Sequence, residues 1–289
     1  MNRVKVWTLA ARPKTWISSF SPVLIGSTLA ISDGVFNLAS FIFTLATALA
    51  IQIGANLAND YFDFIKGADT IERKGPQRMT QSGLVTPQAM KRAMILTFLI
   101  ALLSGCYLIF KGGSVIALLL SFSILFGILY TGGPFPLAYL GLGEVFAFTF
   151  FGPIATAGTY YMQTLTWSKQ AFLAGIAPGA LCTAILILNN VRDINEDKKA
   201  NKKTLAVRFG KTFGQIEYIA VILGALVPLI AFYPTHPFSL LGLLILLPAL
   251  PLLQTILKPC EPQTLNLLFG KTGQLMWLYT LLFCIGWML

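Results

Sequence analysis

Long apolar stretches recur along almost the whole of this chain, and they constrain its fold more than any other feature. Of its 289 residues, 56% are hydrophobic and only 11% are charged, whereas a soluble domain has about 25% charged residues. A helix that crosses a bilayer needs roughly 20 predominantly apolar residues. The sequence therefore predicts an all-α, polytopic membrane protein that forms a single transmembrane domain over residues 1–289.

Nine of these stretches are predicted to be transmembrane helices. Several lie near the short end of the spanning range, so one or two could be tilted or re-entrant. The predicted helices run over Thr15–Ile31, Leu38–Ala58, Ala93–Phe110, Ser114–Tyr130, Leu142–Tyr161, Phe172–Asn190, Ile216–Tyr233, Leu240–Leu257 and Leu275–Leu289.

The basic residues indicate how these helices are oriented. If the N-terminus is cytoplasmic, every Lys and Arg except Lys111 and Lys169 lies in the N-terminal segment or in the loops after the second, sixth and eighth helices. This bias follows the positive-inside rule and predicts a multi-pass protein of the cytoplasmic (inner) membrane. Topology and attraction to anionic lipid explain the net charge of +10, so no nucleic-acid partner is expected.

A first polar cluster begins inside the second predicted helix and continues past its cytoplasmic end. Its members are three or four residues apart, so they share one helix face. That face is expected to point into the bundle, because carboxylates that face lipid are costly. Asp69 follows in the loop, where it is either a ligand or part of a solvated rim. The helical members are Gln52, Asn56, Asn59 or Asp60, and Asp63.

A second polar cluster lies at the cytoplasmic end of the sixth predicted helix. Asn189, Asp193 and Asp197 are four residues apart and again share one face. Two helices from different halves of the chain therefore end in acidic stripes on the same side of the membrane. Carboxylates that face one another repel, unless their pKa values rise or a cation lies between them.

Oxygen ligands of this kind suit Mg²⁺, with Mn²⁺ as an alternative. Mg²⁺ usually binds through a few carboxylates together with substrate phosphates, so two clusters are expected to hold one diphosphate. The predicted metal ligands are Asn59, Asp60, Asp63, Asp69, Asp193 and Asp197. Nearby bases would neutralise the remaining diphosphate charge, namely Lys66, Lys74, Arg78, Arg192, Lys198 and Lys202.

Other acidic residues are assigned more ordinary roles. Glu72, Glu196 and Glu261 are expected to belong to a solvated rim, paired with neighbouring bases. Glu144 is buried by pattern near the cytoplasmic end of the fifth predicted helix. It could orient a substrate, act as a base, or hydrogen-bond a neighbouring helix.

The two acidic segments resemble the paired aspartate motifs of the UbiA-type intramembrane prenyltransferases. The segments read NDYFDFIKGAD and RDINEDKKANKKTLAVRFG, and the resemblance covers nearly the whole chain. Within that superfamily, the chain is similar to the branch that prenylates 1,4-dihydroxy-2-naphthoate in menaquinone synthesis. Four stretches carry this similarity: ARPKTWISSFSPVLIG, NLANDYFDFIKGADT, GPQRMTQSGLVTP and YTGGPFPLAYLGLGEVFAFTFFGP.

The resemblance implies a central cavity ringed by helices and open sideways to lipid for a prenyl tail. Asn59, Asp63, Asp193 and Asp197 match the metal–diphosphate positions of the superfamily, and the three aspartates are the expected catalytic carboxylates. Many members have a further acidic residue four positions after the second one, where this chain has Gly67. The predicted acceptor or lining residues are Asn56, Asn189, Tyr130, Tyr139 and Glu144, with Tyr61 and Tyr160 as further aromatic candidates.

The resemblance implies that a polyprenyl diphosphate donates its prenyl group to the ring of 1,4-dihydroxy-2-naphthoate, which loses CO₂. Other aromatic acceptors are the alternative: 4-hydroxybenzoate, homogentisate or an isomeric naphthoate. A transporter is the rival from another class, because polar residues inside a helical bundle also mark ion pathways. The acidic residues cluster at one membrane face and no inverted repeat is evident, which favours the enzyme.

Overall fold

A computed structural model describes residues 2–68 and 74–289, and every regular element in that part of the chain is helical. Short 3-10 helices at Pro13–Thr15 and Pro237–Ile245 connect some of the α-helices. The α-helices are α1 Arg3–Ala11, α2 Ile17–Ser32, α3 Leu38–Ile65, α4 Pro87–Leu129, α5 Gly143–Phe151, α6 Pro153–Thr164, α7 Lys169–Ala174, α8 Ile176–Arg192, α9 Ile194–Lys199, α10 Leu205–Phe209, α11 Lys211–Gly224, α12 Val227–Phe232, α13 Leu246–Ile256 and α14 Pro262–Met288.

The number of helices able to cross a membrane differs from the prediction. In the described residues, six helical segments are long and apolar enough to span, or seven if the bent pair Arg3–Thr15 and Ile17–Ser32 counts as one span. The predicted count of nine is therefore not confirmed. The all-α, multi-pass membrane architecture is confirmed.

A reversal inside α4 accounts for part of this difference. Gly113 has φ 73° and ψ −159°, a conformation that L-residues with a side chain rarely adopt. In a straight helix Gly105 and Leu120 would be about 22 Å apart, yet the Leu120 side chain packs directly against Gly105. The two arms of α4 are thus antiparallel neighbours, and they correspond to the predicted helices Ala93–Phe110 and Ser114–Tyr130.

Two other predicted spans are each broken into two helices. The break between α5 and α6 is at Gly152, and the break between α7 and α8 is at Gly175. A Cβ on Gly152 would lie 2.5 Å from the Gly175 carbonyl oxygen, so only glycine permits this approach. The following Pro153 cannot donate a backbone hydrogen bond, which favours the break.

Helix α8 lies at the centre of the bundle and positions the second acidic cluster. In the most apolar 18 residues of the span Lys169–Arg192, 78% of the residues are buried within the protein, whereas the corresponding share is 28% in both α3 and α4. Outer positions of α4 such as Leu103 and Phe110 are 70% and 91% exposed, as expected for side chains that face lipid. Large buried side chains from α8, α11 and α14, including Tyr218, Tyr279 and Phe283, form the main core.

Candidate functional site

The first acidic cluster lies where α3 ends. The helix stops at Ile65, and Gly67 follows with φ 67°, a left-handed conformation that commonly ends helices. Asp63 lies in the last turn of α3 and is only 1% exposed. A carboxylate buried to this degree requires charged or hydrogen-bonding partners.

Asp63 is surrounded by three donors. Lys202 Nζ lies 3.0 Å from Asp63 Oδ1, and Arg78 Nη2 lies 3.5 Å from Asp63 Oδ2. The Tyr139 hydroxyl donates to Asp63 Oδ1 at 3.2 Å. These donors come from three different loops, so Asp63 is the point where those loops meet the end of α3.

Two lysines lie against the Tyr139 ring. The Nζ atoms of Lys66 and Lys202 are 4.8 and 4.9 Å from the ring centroid, within the range of cation–π attraction. Lys66 also donates to the carbonyl oxygens of Thr131 and Gly133 at 2.7 and 3.3 Å. Desolvation lowers the pKa of Lys66 below its ordinary value, although Asp63 opposes that shift and Lys202 adds to it.

Asn59 lies one turn before Asp63 and lines the central cavity. Its Oδ1 accepts a hydrogen bond from Thr131 Oγ1 at 2.8 Å. Thr131 is 2% exposed and therefore fixes the orientation of the amide. Asn59 and Asp63 together present amide and carboxylate oxygens at the end of α3.

The neighbouring Asp60 has a different environment. Its Oδ2 accepts from the Met79 backbone N–H and its Oδ1 from the Thr80 backbone N–H, both at 3.0 Å. Asp60 is 2% exposed. Both carboxylate oxygens are thus engaged by a turn that immediately follows Arg78. Asp60 therefore holds this turn, and its predicted role as a metal ligand stays a prediction.

If the chain binds the prenyl diphosphate that the resemblance implies, we expect Asp60→Asn to raise the KM for it about tenfold, because an amide nitrogen would face a backbone N–H and release the turn that carries Arg78. Steady-state kinetics with each substrate varied in turn measure this, and the KM for the aromatic acceptor should not change. A large loss of kcat with an unchanged donor KM would instead support the predicted role of Asp60 as a metal ligand.

The second acidic cluster lies where α8 meets α9. Arg192 Nε and Nη2 donate to the two carboxylate oxygens of Asp193, each at 2.7 Å. Arg192 Nη1 donates to Asn266 Oδ1 at 2.8 Å, and Asn266 Nδ2 donates to the Lys74 carbonyl oxygen at 3.2 Å. This chain of contacts links α8, the start of α14 and the loop that follows residues 69–73.

Asp197 is 9% exposed and lies one turn after Asp193 in α9. Its carbonyl oxygen accepts from the Lys202 backbone N–H at 2.8 Å, while the Lys202 side chain contacts Asp63. Lys202 therefore connects the two acidic clusters. Lys198 is exposed and lies at the surface with Lys74, Asn195 and Glu196.

A cavity of about 320 Å³ lies between α2, α3, the second arm of α4, α5, α6 and α8. Its polar end carries Asn59 from α3 and Asn189 from α8, the helices that end in the two acidic clusters. Elsewhere the wall is mainly apolar, with an aromatic group formed by Phe126, Phe146 and Phe150. The predicted residues Asn56 and Tyr130 also line the cavity.

The remaining predicted lining residues lie away from this wall. Glu144 Oε1 accepts from Asn190 Nδ2 at 2.6 Å, which joins α5 to α8 and supports the alternative that Glu144 hydrogen-bonds a neighbouring helix.

The predicted tyrosines other than Tyr130 have partners away from the cavity wall. Tyr61 packs edge-on against Phe62 with ring centroids 5.1 Å apart. The Tyr160 hydroxyl donates to Asp33 at 2.5 Å, near the far ends of α2 and α6. Tyr139 contacts Asp63 instead, and Asp69 lies outside the described residues.

Residues that the sequence did not single out support the predicted ones. Thr131 orients Asn59, and Asn266 holds Arg192. Thr15 accepts hydrogen bonds from Gln52 and Asn56 at 3.0 Å each. All of these are contacts between elements distant in sequence, so no local spacing could have revealed them.

The donor set determines which metal could bind. Within residues 2–68 and 74–289, no three His, Cys, Asp or Glu side chains are close enough to hold an ion by themselves. Mg²⁺ commonly binds through one or two carboxylates and completes its shell with water and substrate phosphates. Asn59, Asp63, Asp193 and Asp197 carry oxygen donors of the type that such an ion prefers when it binds together with a diphosphate.

Known proteins are similar to this chain in sequence and in fold. Residues 19–281 match the UbiA prenyltransferase family. The chain is 36% identical to a 1,4-dihydroxy-2-naphthoate octaprenyltransferase of Escherichia coli (strain K12), covering 99% of this chain and 96% of that protein. It is 37% identical to the protein of that name in Bacillus subtilis (strain 168), over 71% and 66% of the two chains.

Among solved structures, a UbiA homolog from Archaeoglobus fulgidus bound to GPP and Mg²⁺ has the same fold. The TM-score is 0.69 at 14% sequence identity, and the match covers 98% of this chain and 100% of the archaeal one. The match to the family model extends over most of the sequence, and the E. coli relative is similar along nearly its full length. The chain therefore belongs to the UbiA prenyltransferase family.

Proposed function

We propose that this enzyme transfers a polyprenyl group from a polyprenyl diphosphate to the ring of 1,4-dihydroxy-2-naphthoate, with loss of CO₂, and so forms demethylmenaquinone. The observation that carries the proposal is the cavity, which is apolar along most of its wall and ends beside two acidic clusters flanked by bases. Relatives named for this naphthoate support the choice of acceptor.

The polar end of the cavity is the proposed diphosphate site. Lys66, Arg78 and Lys202 surround Asp63 and Tyr139, and they supply the positive charge that a diphosphate needs. Arg192 holds Asp193 in place, while Lys74 and Lys198 lie further out on the surface. Mg²⁺, or Mn²⁺ in its place, bound at Asn59, Asp63, Asp193 and Asp197 would neutralise the diphosphate and make it a better leaving group.

The cavity wall suits the carbon chemistry. When the allylic C–O bond breaks, the diphosphate leaves with the electron pair and positive charge develops on the prenyl carbon. Apolar walls exclude water from that carbon, and the rings of Phe126, Phe146 and Phe150 present π-faces that stabilise a cation. The ring carbon that bears the carboxylate forms the new C–C bond, and CO₂ departs as its bonding electrons restore the aromatic ring.

The size of the cavity limits what it encloses. A volume of about 320 Å³ is near the lower end for small-molecule pockets. It accommodates an aromatic ring and the first units of a prenyl chain, so the rest of the tail lies in lipid. The sideways opening that this requires stays a prediction.

The basic residues support a cytoplasmic site in the inner membrane. Lys111 donates to Ser40 at the start of α3, at the end opposite to the acidic clusters. The positive-inside rule then assigns the end with Asp63 and Asp193 to the cytoplasm, together with the N-terminus. Soluble naphthoate would enter from that side.

We expect Arg78→Ala to raise the KM for the prenyl diphosphate about tenfold and to change kcat much less, because it removes a cation that neutralises bound diphosphate. Initial rates at varied donor concentration measure the effect. Arg208→Ala is a matched control, since the Arg208 guanidinium donates to the backbone carbonyl oxygens of Lys203 and Leu140. An unchanged donor KM in Arg78→Ala would limit Arg78 to its contact with Asp63 and reject its role in diphosphate binding.

A panel of acceptors tests the proposed function. Purified protein in liposomes receives one radiolabelled polyprenyl diphosphate, Mg²⁺ and, in separate reactions, 1,4-dihydroxy-2-naphthoate, 4-hydroxybenzoate, homogentisate or an isomeric naphthoate. The proposal expects a prenylated, decarboxylated product from 1,4-dihydroxy-2-naphthoate at a rate well above the others. Preference for another acceptor would reject the substrate, and no product from any acceptor would reject the activity.

A further inference from the structure

A buried amide oxygen on the cavity wall has no hydrogen-bond partner in the part of the chain that the structure describes. Gln52 is on α3, is 7% exposed and lines the cavity. Its Oε1 is buried and receives no hydrogen bond from the residues that the structure describes. Native interiors leave few such groups unpaired, because the lost hydration is not replaced. An unpaired oxygen on a cavity wall therefore indicates a ligand that donates a hydrogen bond.

The neighbouring hydroxyl fixes which end of the Gln52 amide is unpaired. Thr15 Oγ1 donates its single hydrogen to the Arg12 carbonyl oxygen at 2.9 Å. It can therefore only accept from Gln52 and Asn56, whose amide nitrogens lie 3.0 Å away. Exchanging the oxygen and nitrogen of Gln52 would place an acceptor against an acceptor. The oxygen is thus the end that is left for a ligand.

The depth of Gln52 places it below the proposed diphosphate site. Gln52 and Asn59 are two turns apart on one face of α3, and both line the cavity. Two turns correspond to about 10 Å along the helix axis. An acceptor ring that reaches the prenyl carbon next to the diphosphate would therefore lie beside Gln52. A neutral amide oxygen attracts a hydroxyl hydrogen and repels a carboxylate.

We propose that Gln52 Oε1 accepts a hydrogen bond from a ring hydroxyl of the aromatic acceptor, an inference that rests on the proposed function. The hydroxyl is the one at position 4 of 1,4-dihydroxy-2-naphthoate. The hydroxyl at position 1 is adjacent to the carboxylate and donates to it within the molecule. The 4-hydroxyl keeps its hydrogen for the protein. Gln52 is a residue that determines acceptor specificity, and it does not take part in bond making.

A pair of ligands tests this contact. Equilibrium binding of 1,4-dihydroxy-2-naphthoate and of 1-hydroxy-2-naphthoate, which lacks the 4-hydroxyl, is measured under reducing conditions with an unreactive thiodiphosphate donor analogue present. The wild type should bind the dihydroxy compound about tenfold more tightly. Gln52→Met keeps the side-chain length and removes the acceptor, so the ratio of the two dissociation constants should fall to about one.

Thr44→Val is the matched control, because Thr44 Oγ1 is also a buried oxygen on the cavity wall without a partner in the described residues, and its removal leaves Gln52 and its Thr15 anchor in place. Its ratio should stay close to that of the wild type. A wild-type ratio in Gln52→Met, or a lost ratio in Thr44→Val, would overturn the inference. Wild-type turnover of the dihydroxy compound separates failure of this inference from failure of the proposed function. If the wild type turns the compound over but Gln52→Met keeps the wild-type ratio, only the Gln52 contact is rejected. If the wild type neither binds nor turns over the compound, the proposed function is rejected as well.

Discussion

Asp63→Asn is expected to lower kcat by at least about 100-fold, the usual cost of removing one preorganised charged group from an active site. The first reason is the proposed metal role of Asp63, and the second is its contacts in the structure. Asparagine cannot supply the negative charge that a divalent cation needs, and it leaves Lys202 and Arg78 without the carboxylate that they contact. Single-turnover assays with labelled donor in liposomes measure the loss.

Asp33→Asn is the control for Asp63→Asn. Asp33 is also a carboxylate at a helix end, but it bonds to Tyr160 away from the cavity wall. We expect this variant to retain near wild-type turnover. Full activity in Asp63→Asn, with the protein inserted and folded, would refute its assignment to the catalytic site.

Asp193→Asn is the second variant with a large expected effect, a loss of kcat that again reaches at least about 100-fold. Asp193 receives two charge-assisted hydrogen bonds from Arg192, so its replacement removes the proposed metal ligand and also releases Arg192. Turnover and donor binding measured on the same preparations separate these consequences. The ligand role predicts weaker Mg²⁺-dependent donor binding together with the loss of kcat.

Asn266→Ala distinguishes the two roles of this cluster. It removes the contact that holds Arg192 Nη1 and leaves the Asp193 carboxylate in place. We expect a loss of less than about tenfold, typical of one neutral hydrogen bond. If Asn266→Ala were as damaging as Asp193→Asn, then the position of Arg192 would be the decisive feature and the metal role of Asp193 would be contradicted.

Much of this architecture could be predicted from local patterns. Apolar stretches predict membrane helices because the bilayer core provides no partners for polar groups. The four-residue spacing of Asn59 and Asp63, and of Asp193 and Asp197, predicts shared helix faces because a helix has 3.6 residues per turn. The single domain over residues 1–289, and the metal and diphosphate roles of these residues, stay predictions.

Other features depend on contacts between distant parts of the chain. Asp60 looked like Asp63 in sequence, yet its oxygens bond to the amides of Met79 and Thr80. The reversal at Gly113 was predicted only as a gap between two helices, whereas Leu120 packs against Gly105 in the structure. Three alternative roles were predicted for Glu144, and its bond to Asn190 on α8 supports the one in which it hydrogen-bonds a neighbouring helix.

Mg²⁺-dependent binding of a prenyl diphosphate tests the central claim most directly, namely that the two acidic clusters hold one diphosphate through a divalent cation. Binding of an unreactive prenyl thiodiphosphate to purified protein is measured with Mg²⁺ and with a chelator, in the wild type, Asp63→Asn and Asp193→Asn. We expect Mg²⁺ to tighten wild-type binding at least about tenfold, and each variant to lose most of that gain. Equal affinity with and without Mg²⁺ in the wild type would contradict the claim.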